Sequence, residues 1–484
     1  MTLLPMFYYL GTMATLFVCI LIAAHLYRSR LILYLLVPVL ITRTFPRISF
    51  YYWGGMRYVL GLLAVLMIIL FLKNKRTVWI FTAGIISALA FLTTIEAGVC
   101  AIVSIIFGLG IAWRLQTFDR GFILRSIKYY WGGLALIVIP YLMYLIGTGS
   151  LFALIDTTYT VVFLKDKVLL AAPGYSPEGL DFLWAMWPGN NFFKFMTPMY
   201  CFLFLIPFLV FLKRRNCFME REIAIVVLGV YAMILYLAAF RKIQGHHFEM
   251  ALQPEKIILF FMIEYFYFFL IEWTSKVPRE PMVKMKRLGR IALFSFLIFA
   301  LMGSSWGYAI ARIQHRFIAP KWLWDVIQRN GNQDLGFLTG METQTLSIDR
   351  AKGMVVPVWQ AQEIEEVVAF VKTHTKRDEI LFTYPELGSF NFWTDRPFVG
   401  RFPVASFSWW RDDWHQELVE DFLEADPHYM IMTNLNHRTF PDEWYFRCPK
   451  NKIKFEEMTN LILNRYEPIR TYESISIYQR KQKP

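Results

Sequence analysis

From Leu4 to Leu26 the chain runs LPMFYYLGTMATLFVCILIAAHL without one Lys, Arg, Asp or Glu. That length matches the roughly 20 residues a helix needs to cross about 30 Å of hydrocarbon. Similar runs recur until about Tyr308 and stop after Arg312. The expected fold is a polytopic α-helical membrane bundle of about ten crossings over residues 1–309, followed by a small α/β extracytoplasmic domain over residues 310–484. A hydrophobic share of 56% agrees, being too high for a soluble enzyme whose surface must carry charge.

Charge orients these runs. The formal balance is +13, but the cations gather in short connections between apolar runs, where a membrane protein keeps positive charge on the cytoplasmic side. These are Arg28 and Arg30, Lys73 to Arg76, Arg114 to Lys128, Lys213 to Arg221, and Lys276 to Arg290. This placement argues against nucleic acid as a partner. The helices at about 4–26 and 50–72 both end on a basic cluster, so the run Leu31 to Ile41 must cross back between them. Further crossings are expected near 77–95, 97–113, 131–147, 197–212, 223–240, 256–272 and 291–309. The count puts Met1 and the soluble domain outside the cytoplasm. The first run has no basic leader and no small-residue cleavage site, and reads as a retained helix. Five cysteines without a CxxC pair indicate neither a disulfide framework nor a zinc site.

Between Gly147 and about Thr197 lies a long outer segment in which Trp184, Trp187, Phe192 and Phe193 suit an interfacial helix. After Pro320 the pattern turns to soluble α/β alternation. Helices are expected over Ala361 to Thr375, WHQELVEDFLEA and FEEMTNLILNRY, with strands at EILFTY, HYMIMT and ESISIYQR.

No P-loop, dinucleotide GxGxxG or HExxH is present. Chemistry is therefore sought at the outer face. The connection FRKIQGHHFEMALQPEK holds Arg241, Lys242, His246, His247, Glu249 and Lys256. Arg offers a planar donor fork to phosphate, and His can bond a phosphate oxygen or donate a proton. The plainer alternative is a basic loop drawn to anionic lipid. Glu96 is the only acid between Thr77 and Trp113; an acid at membrane depth is a functional candidate, and one at a hairpin tip is a turn residue. Arg43, Arg47 and Arg57 can bind an anionic headgroup or snorkel. Asp156 and Asp166 are candidate bases, more often solvated in a loop this long. The stretch SFSWWRDDWH, Ser406 to His415, can stack on sugar rings, though packing against the membrane surface or the bundle is the favoured reading. Glu264 is one of few ionisable residues deep in a span.

Three segments resemble a known family. KNKRTVWIFTAGIISALAFLTTIEAGV resembles a basic turn, a small-residue helix and an acid-Gly tip; FRKIQGHHFEMALQP resembles an outer Arg/His loop leading to a proline; and the tail from Met354 resembles an α/β domain following the last helix. The family is the GT-C superfold of lipid-phosphate-sugar-dependent glycosyltransferases, in particular the bacterial proteins similar to dolichyl-phosphate-mannose protein mannosyltransferases. The resemblance implies a multi-pass protein of the bacterial inner membrane. It would pass a sugar from a polyprenyl-phosphate donor to a lipid, glycan or protein acceptor. It assigns Arg241 and His246 or His247 to the donor phosphate and Glu96 to the outer-face acid, with the membrane lipid and the polyprenyl-phosphate sugar as partners. It names no cofactor and leaves room for a divalent metal ion.

The family's catalytic acid lies in a long loop after its first helix. Here the first helix already runs outside to inside with no acid before it, so the chain is expected to lack that helix and loop, as a fragment or as a short form. No catalytic residue is assigned. Alternatives are a transporter, a flippase or a non-catalytic partner in envelope glycan assembly, and an oligosaccharide polymerase or ligase using a lipid-diphosphate donor.

Overall fold

The computed structural model describes residues 3–44, 56–163, 190–214, 219–240, 254–275, 342–408, 410–435, 446 and 449–482. The chain divides into two compact units. One comprises Leu3–Leu151 and Glu178–Lys321, the other Met1–Thr2, Phe152–Pro177 and Trp322–Pro484. The expected boundary at residues 309 and 310 lies outside the described residues, as does the expected crossing near 291–309.

The first unit is helical. In chain order the helices are α1 (Leu3–Leu26), α2 (Arg30–Thr44), α3 (Met56–Asn74), α4 (Thr77–Thr93), α5 (Ile95–Arg114), α6 (Arg120–Gly147), α7 (Leu151–Phe163), α8 (Asn190–Arg214), α9 (Glu220–Phe240) and α10 (Pro254–Ser275). From Phe152 onward α7 belongs to the second unit. Among the described residues three segments are long and apolar enough to cross a membrane, Ile95–Arg114, Arg120–Gly147 and Glu220–Ala238, against about ten expected. Met13–Leu26, Arg30–Leu40, Tyr58–Asn74 and Thr77–Thr93 are apolar but shorter.

Helix α6 starts at Arg120, well before the expected 131, because Asp119 caps it: its carboxylate accepts the Phe122 N–H at 3.2 Å. Close approach of backbones joins α4 to α6. A Cβ on Gly84 would come 2.1 Å from Tyr130 O, and one on Gly133 would come 2.1 Å from Phe81 O. Small residues at such crossings let apolar helices pack by van der Waals contact where lipid supplies no hydrophobic drive. Ile22, Leu36, Ile68, Ile105, Ile223 and Phe261 are among the side chains that fill one continuous core.

The second unit carries a four-stranded sheet of order β3-β4-β6-β5, with β3 (Phe382–Tyr384), β4 (Tyr429–Thr433), β5 (Tyr466–Thr471) and β6 (Ile475–Arg480). Strands β3 and β4 are parallel, and the other two pairings are antiparallel. A small antiparallel pair, β1 (Thr343–Thr345) and β2 (Val355–Pro357), precedes helix α11 (Val358–His374). Helix α12 (Ser389–Thr394) follows β3, α13 (Asp412–Ala425) leads into β4, and α14 (Pro449–Arg465) leads into β5. Side chains alternate across β4: Ile431 joins Val367, Val371 and Ile477 on one face, while Met430 and Met432 join Phe382, Phe422 and Met458 on the other. The sheet is thus covered on both faces, and Met430 and Ile431 are both fully buried.

Candidate functional site: two ends of the helical unit

One ion pair sets the direction of the bundle. Lys75, in the turn between α3 and α4, lies 3.5 Å from Glu220 at the start of α9. The α4–α5 hairpin runs from that turn to its tip at Thr94 and back, so α9 runs antiparallel to α5. Gly108 of α5 sits against Val227 of α9, where a Cβ would come 2.2 Å from the valine methyl. At 1.5 Å per residue, Glu96 lies about 18 Å from that contact along α5 and Phe240 about 20 Å along α9, toward the same end. The acid of the hairpin tip and the residue from which the Arg241 loop departs therefore share one end of the bundle.

Glu96 occupies the first turn of α5 and is partly exposed. A carboxylate there complements the unpaired N–H groups of a helix start. The hairpin is tight because residue 98 is glycine: a Cβ would come 2.2 Å from the Phe91 Cα of α4. Thr94, the residue before α5, is buried with its hydroxyl unpaired. Arg241, His246 and His247 lie outside the described residues, as do Lys242, Glu249, Arg47 and Asp166.

Lys256 does not belong to the loop that the sequence suggested. It sits in the first turn of α10 and is buried. Its Nζ lies 3.6 Å from Oε1 of Glu255, also buried, whose carbonyl accepts the Cys201 thiol at 3.5 Å. Pro254 opens the helix, a place where its missing N–H costs nothing. The signal was present in the sequence, since a proline before Glu-Lys and an apolar run marks a helix start rather than a loop end.

The Lys75 end carries a second polar cluster. Glu264 has no exposed surface. One oxygen accepts the Arg28 and Ser29 N–H groups at 2.7 and 2.6 Å, and the other accepts from the Arg221 guanidinium. That guanidinium stacks on Phe261 at 4.4 Å and Tyr265 at 4.9 Å. Tyr265 donates to Glu222, which also takes the Met219 N–H at 2.8 Å, and Tyr27 donates to Ile257 O at 2.7 Å. The cluster joins the α1–α2 turn, the start of α9 and the middle of α10. It accounts for the ionisable residue that the sequence placed deep in a span.

Asp156 is not a solvated loop acid. It lies on α7 and holds Arg411 Nη1 at 2.9 Å. The same nitrogen donates to Thr160 at 2.8 Å, and Arg411 also pairs with Asp413. That pairing holds the Asp413 carboxyl below, and the Arg411 guanidinium above, their usual ranges. In the stretch Ser406 to His415, Trp410 and Trp414 are buried and pack on Phe402 at ring separations of 4.4 and 5.6 Å. Neither is presented as a platform for a sugar ring; both pack within the α/β unit, where packing against the membrane surface or the bundle was expected. Ser406 and Ser408 donate to Glu386 at 3.0 and 3.4 Å.

Among solved structures the chain is similar to the crystal structure of ArnT from Cupriavidus metallidurans bound to undecaprenyl phosphate, at 11% identity and a TM-score of 0.45, over 98% of this chain and 83% of that one. At that score no residue role carries over. No family model matches the sequence, and no curated protein matches it.

Proposed function

We propose that the chain is a membrane-embedded glycosyltransferase of GT-C kind, which moves a sugar from a polyprenyl-phosphate donor to a lipid, glycan or protein acceptor. One observation supports the reading: Glu96 and Phe240 share one end of the bundle, and Phe240 directly precedes Arg241 in the sequence. In this reading the bond between the sugar C1 and the phosphate oxygen breaks, the acceptor oxygen takes its place on C1 as its proton passes to water, and polyprenyl phosphate leaves. Negative charge grows on that phosphate, and in this reading Arg241 with His246 or His247 holds it. Glu96 is the candidate carboxylate at that end, and no catalytic base is assigned.

Binding of polyprenyl phosphate to the full chain in nanodiscs tests this without knowledge of the sugar. A hydrogen bond to a charged group contributes about 1.5–3 kcal/mol, so Arg241→Ala should weaken binding roughly 10- to 100-fold while insertion is unchanged. Equal affinity in the variant would sink the site assignment. Consumption of a lipid diphosphate rather than a monophosphate donor would favour the polymerase or ligase reading. Glu264 offers the transporter reading little support, because Arg221 and two backbone N–H groups already satisfy it.

A further inference from the structure

The carboxyl end of β3 carries a residue in a conformation that its type disfavours. Glu386, two residues past Tyr384, takes a left-handed φ of +59, which a residue with a Cβ holds only where its surroundings impose it. They do so here. Its N–H donates to Ala405 O at 2.7 Å, and its carboxylate Oε1 accepts from the buried Ser406 at 3.0 Å and the buried Ser408 at 3.4 Å. Two residues on, a Cβ on Gly388 would come 2.2 Å from Pro403 O, so the loop is pressed against the segment that holds its carboxylate. These contacts aim an acid that stays exposed. Strands β3 and β4 are parallel, and open α/β sheets take their ligands beyond the carboxyl ends of such strands.

A second acid and a buried hydroxyl belong to the same place. Tyr384 has no exposed surface, its ring stacks on Phe455 of α14 at 6.3 Å, and its hydroxyl is buried without a hydrogen-bond partner. Native folds leave few such groups, because an orphaned buried hydroxyl keeps its full desolvation cost. Burial raises the Tyr384 pKa, and the Glu386 and Glu457 carboxylates raise it further, so both act on this hydroxyl. Glu457 lies two residues beyond Phe455 on α14, with its side chain 51% exposed and Oε2 3.2 Å from His415 Nε2. Burial holds the His415 pKa low, so the imidazole brings little positive charge at neutral pH. Lys454, which also acts on His415, is held by Asp412 at 2.9 Å and Trp410 O at 2.8 Å. Among the described residues neither Glu386 nor Glu457 is paired with a lysine or an arginine.

We propose that Glu386 and Glu457 form a binding site for a ligand carrying a primary ammonium group, with the Tyr384 hydroxyl as its inner acceptor. Two carboxylates without a counter-charge select a cation, since a neutral polyol would leave both charges unanswered. The cation is organic rather than a metal ion. No group of three or more acid, histidine or cysteine side chains among the described residues is arranged to hold a metal. An ammonium asks for only three acceptors, which two carboxylates and a phenol oxygen supply. The site lies wholly in the α/β unit and is independent of the sugar chemistry.

Ethanolamine, with ethylene glycol as its uncharged counterpart, tests this on the full chain in phosphatidylcholine nanodiscs. Saturation-transfer difference NMR, blanked with empty nanodiscs, should show ethanolamine bound and the glycol not. Glu386→Gln keeps an oxygen for the two serines while removing the charge, and should weaken ethanolamine binding about 10- to 100-fold. Glu457→Gln, at an exposed helical position where folding is not at stake, should do the same. Tyr384→Phe should weaken it about 2- to 10-fold, the loss of one neutral hydrogen bond. Equal signals from the two probes, no ethanolamine signal, or unchanged affinity in both glutamine variants overturns the proposal. Displacement of ethanolamine by micromolar calcium also overturns it, because the site would then be a metal site.

Discussion

The two units use charge in opposite ways. At the Lys75 end of the helical unit, Glu264 has no exposed surface and Arg221 little. Together they tie the α1–α2 turn and α9 to α10. In the α/β unit most ion pairs lie at the surface: Arg350 with Asp395, Arg401 with Glu417, Lys450 with Asp412. There the cohesion comes from rings instead, such as Phe382 on Phe422 at 4.6 Å and Phe407 on Phe455 at 5.1 Å. The same residue types thus act as a buried fastening in one unit and as a solvated coat in the other.

The largest test of that contrast is Glu264→Ala. It leaves the Arg221 guanidinium buried and two backbone N–H groups without an acceptor. Breaking a buried pair by removing one partner costs about 3–5 kcal/mol. Thermal unfolding in nanodiscs should show that loss. The double change with Arg221→Met should recover part of it, because the stranded charge is gone. Full additivity of the two single changes would mean the pair is not coupled.

The sequence displayed this contrast only in part. Uncharged runs marked α1, α4, α5 and α9 to within a few residues, because membrane depth forbids the charges that would blur the signal. Helix α6 was cut short because Arg120 to Lys128 carries cations, and the expectation required an uncharged run; the Asp119 cap starts the helix where the apolar criterion could not see it. Strand β5 was not expected: only its first residue, Tyr466, was read, as the end of a helix, and Glu467, Pro468 and Arg470 argue against a strand. It lies at the sheet edge, where proline and charge are tolerated and guard against further pairing. Partners far apart in sequence were not legible at all. Nothing near Asp156 announces Arg411, 255 residues on, and nothing near Glu264 announces Ser29. For the candidate site, residue types suggested phosphate chemistry, but only the antiparallel packing of α5 and α9 brings Glu96 and Phe240 to one end.

A smaller effect is expected from a buried titratable group in the α/β unit that sits between the two extremes. His415 is buried on α13, with Nε2 3.2 Å from Glu457 and Nδ1 unpaired. Burial holds its pKa below the ordinary histidine value, outweighing the pull of Glu457. The folded state therefore binds this proton less readily than the unfolded chain. The stability it contributes is complete above the unfolded value of about 6.5, and is lost as pH falls toward the lower folded value. Amide exchange in α13 of the full chain, corrected for intrinsic rates, should lose protection as pH falls below about 6.5. His415→Gln should flatten that profile, and an unchanged profile would assign the effect to another group.

The smallest expected effect lies at the surface. Arg401 makes a two-pronged pair with Glu417 and lies 4.4 Å over Phe402 and 5.8 Å over Trp414. This is favourable geometry for an exposed pair, yet Arg401 is 45% and Glu417 35% exposed. Screening by water limits such pairs to about 0–1 kcal/mol. Arg401→Gln removes the charge and keeps much of the stem over the rings, so the loss should stay within that range and shrink as salt is raised. A loss near that of Glu264→Ala, insensitive to salt, would show that the stacked ring surface rather than the charge holds this arginine. The coat of the α/β unit would then be closer in kind to the buried fastening of the helices than its exposure implies.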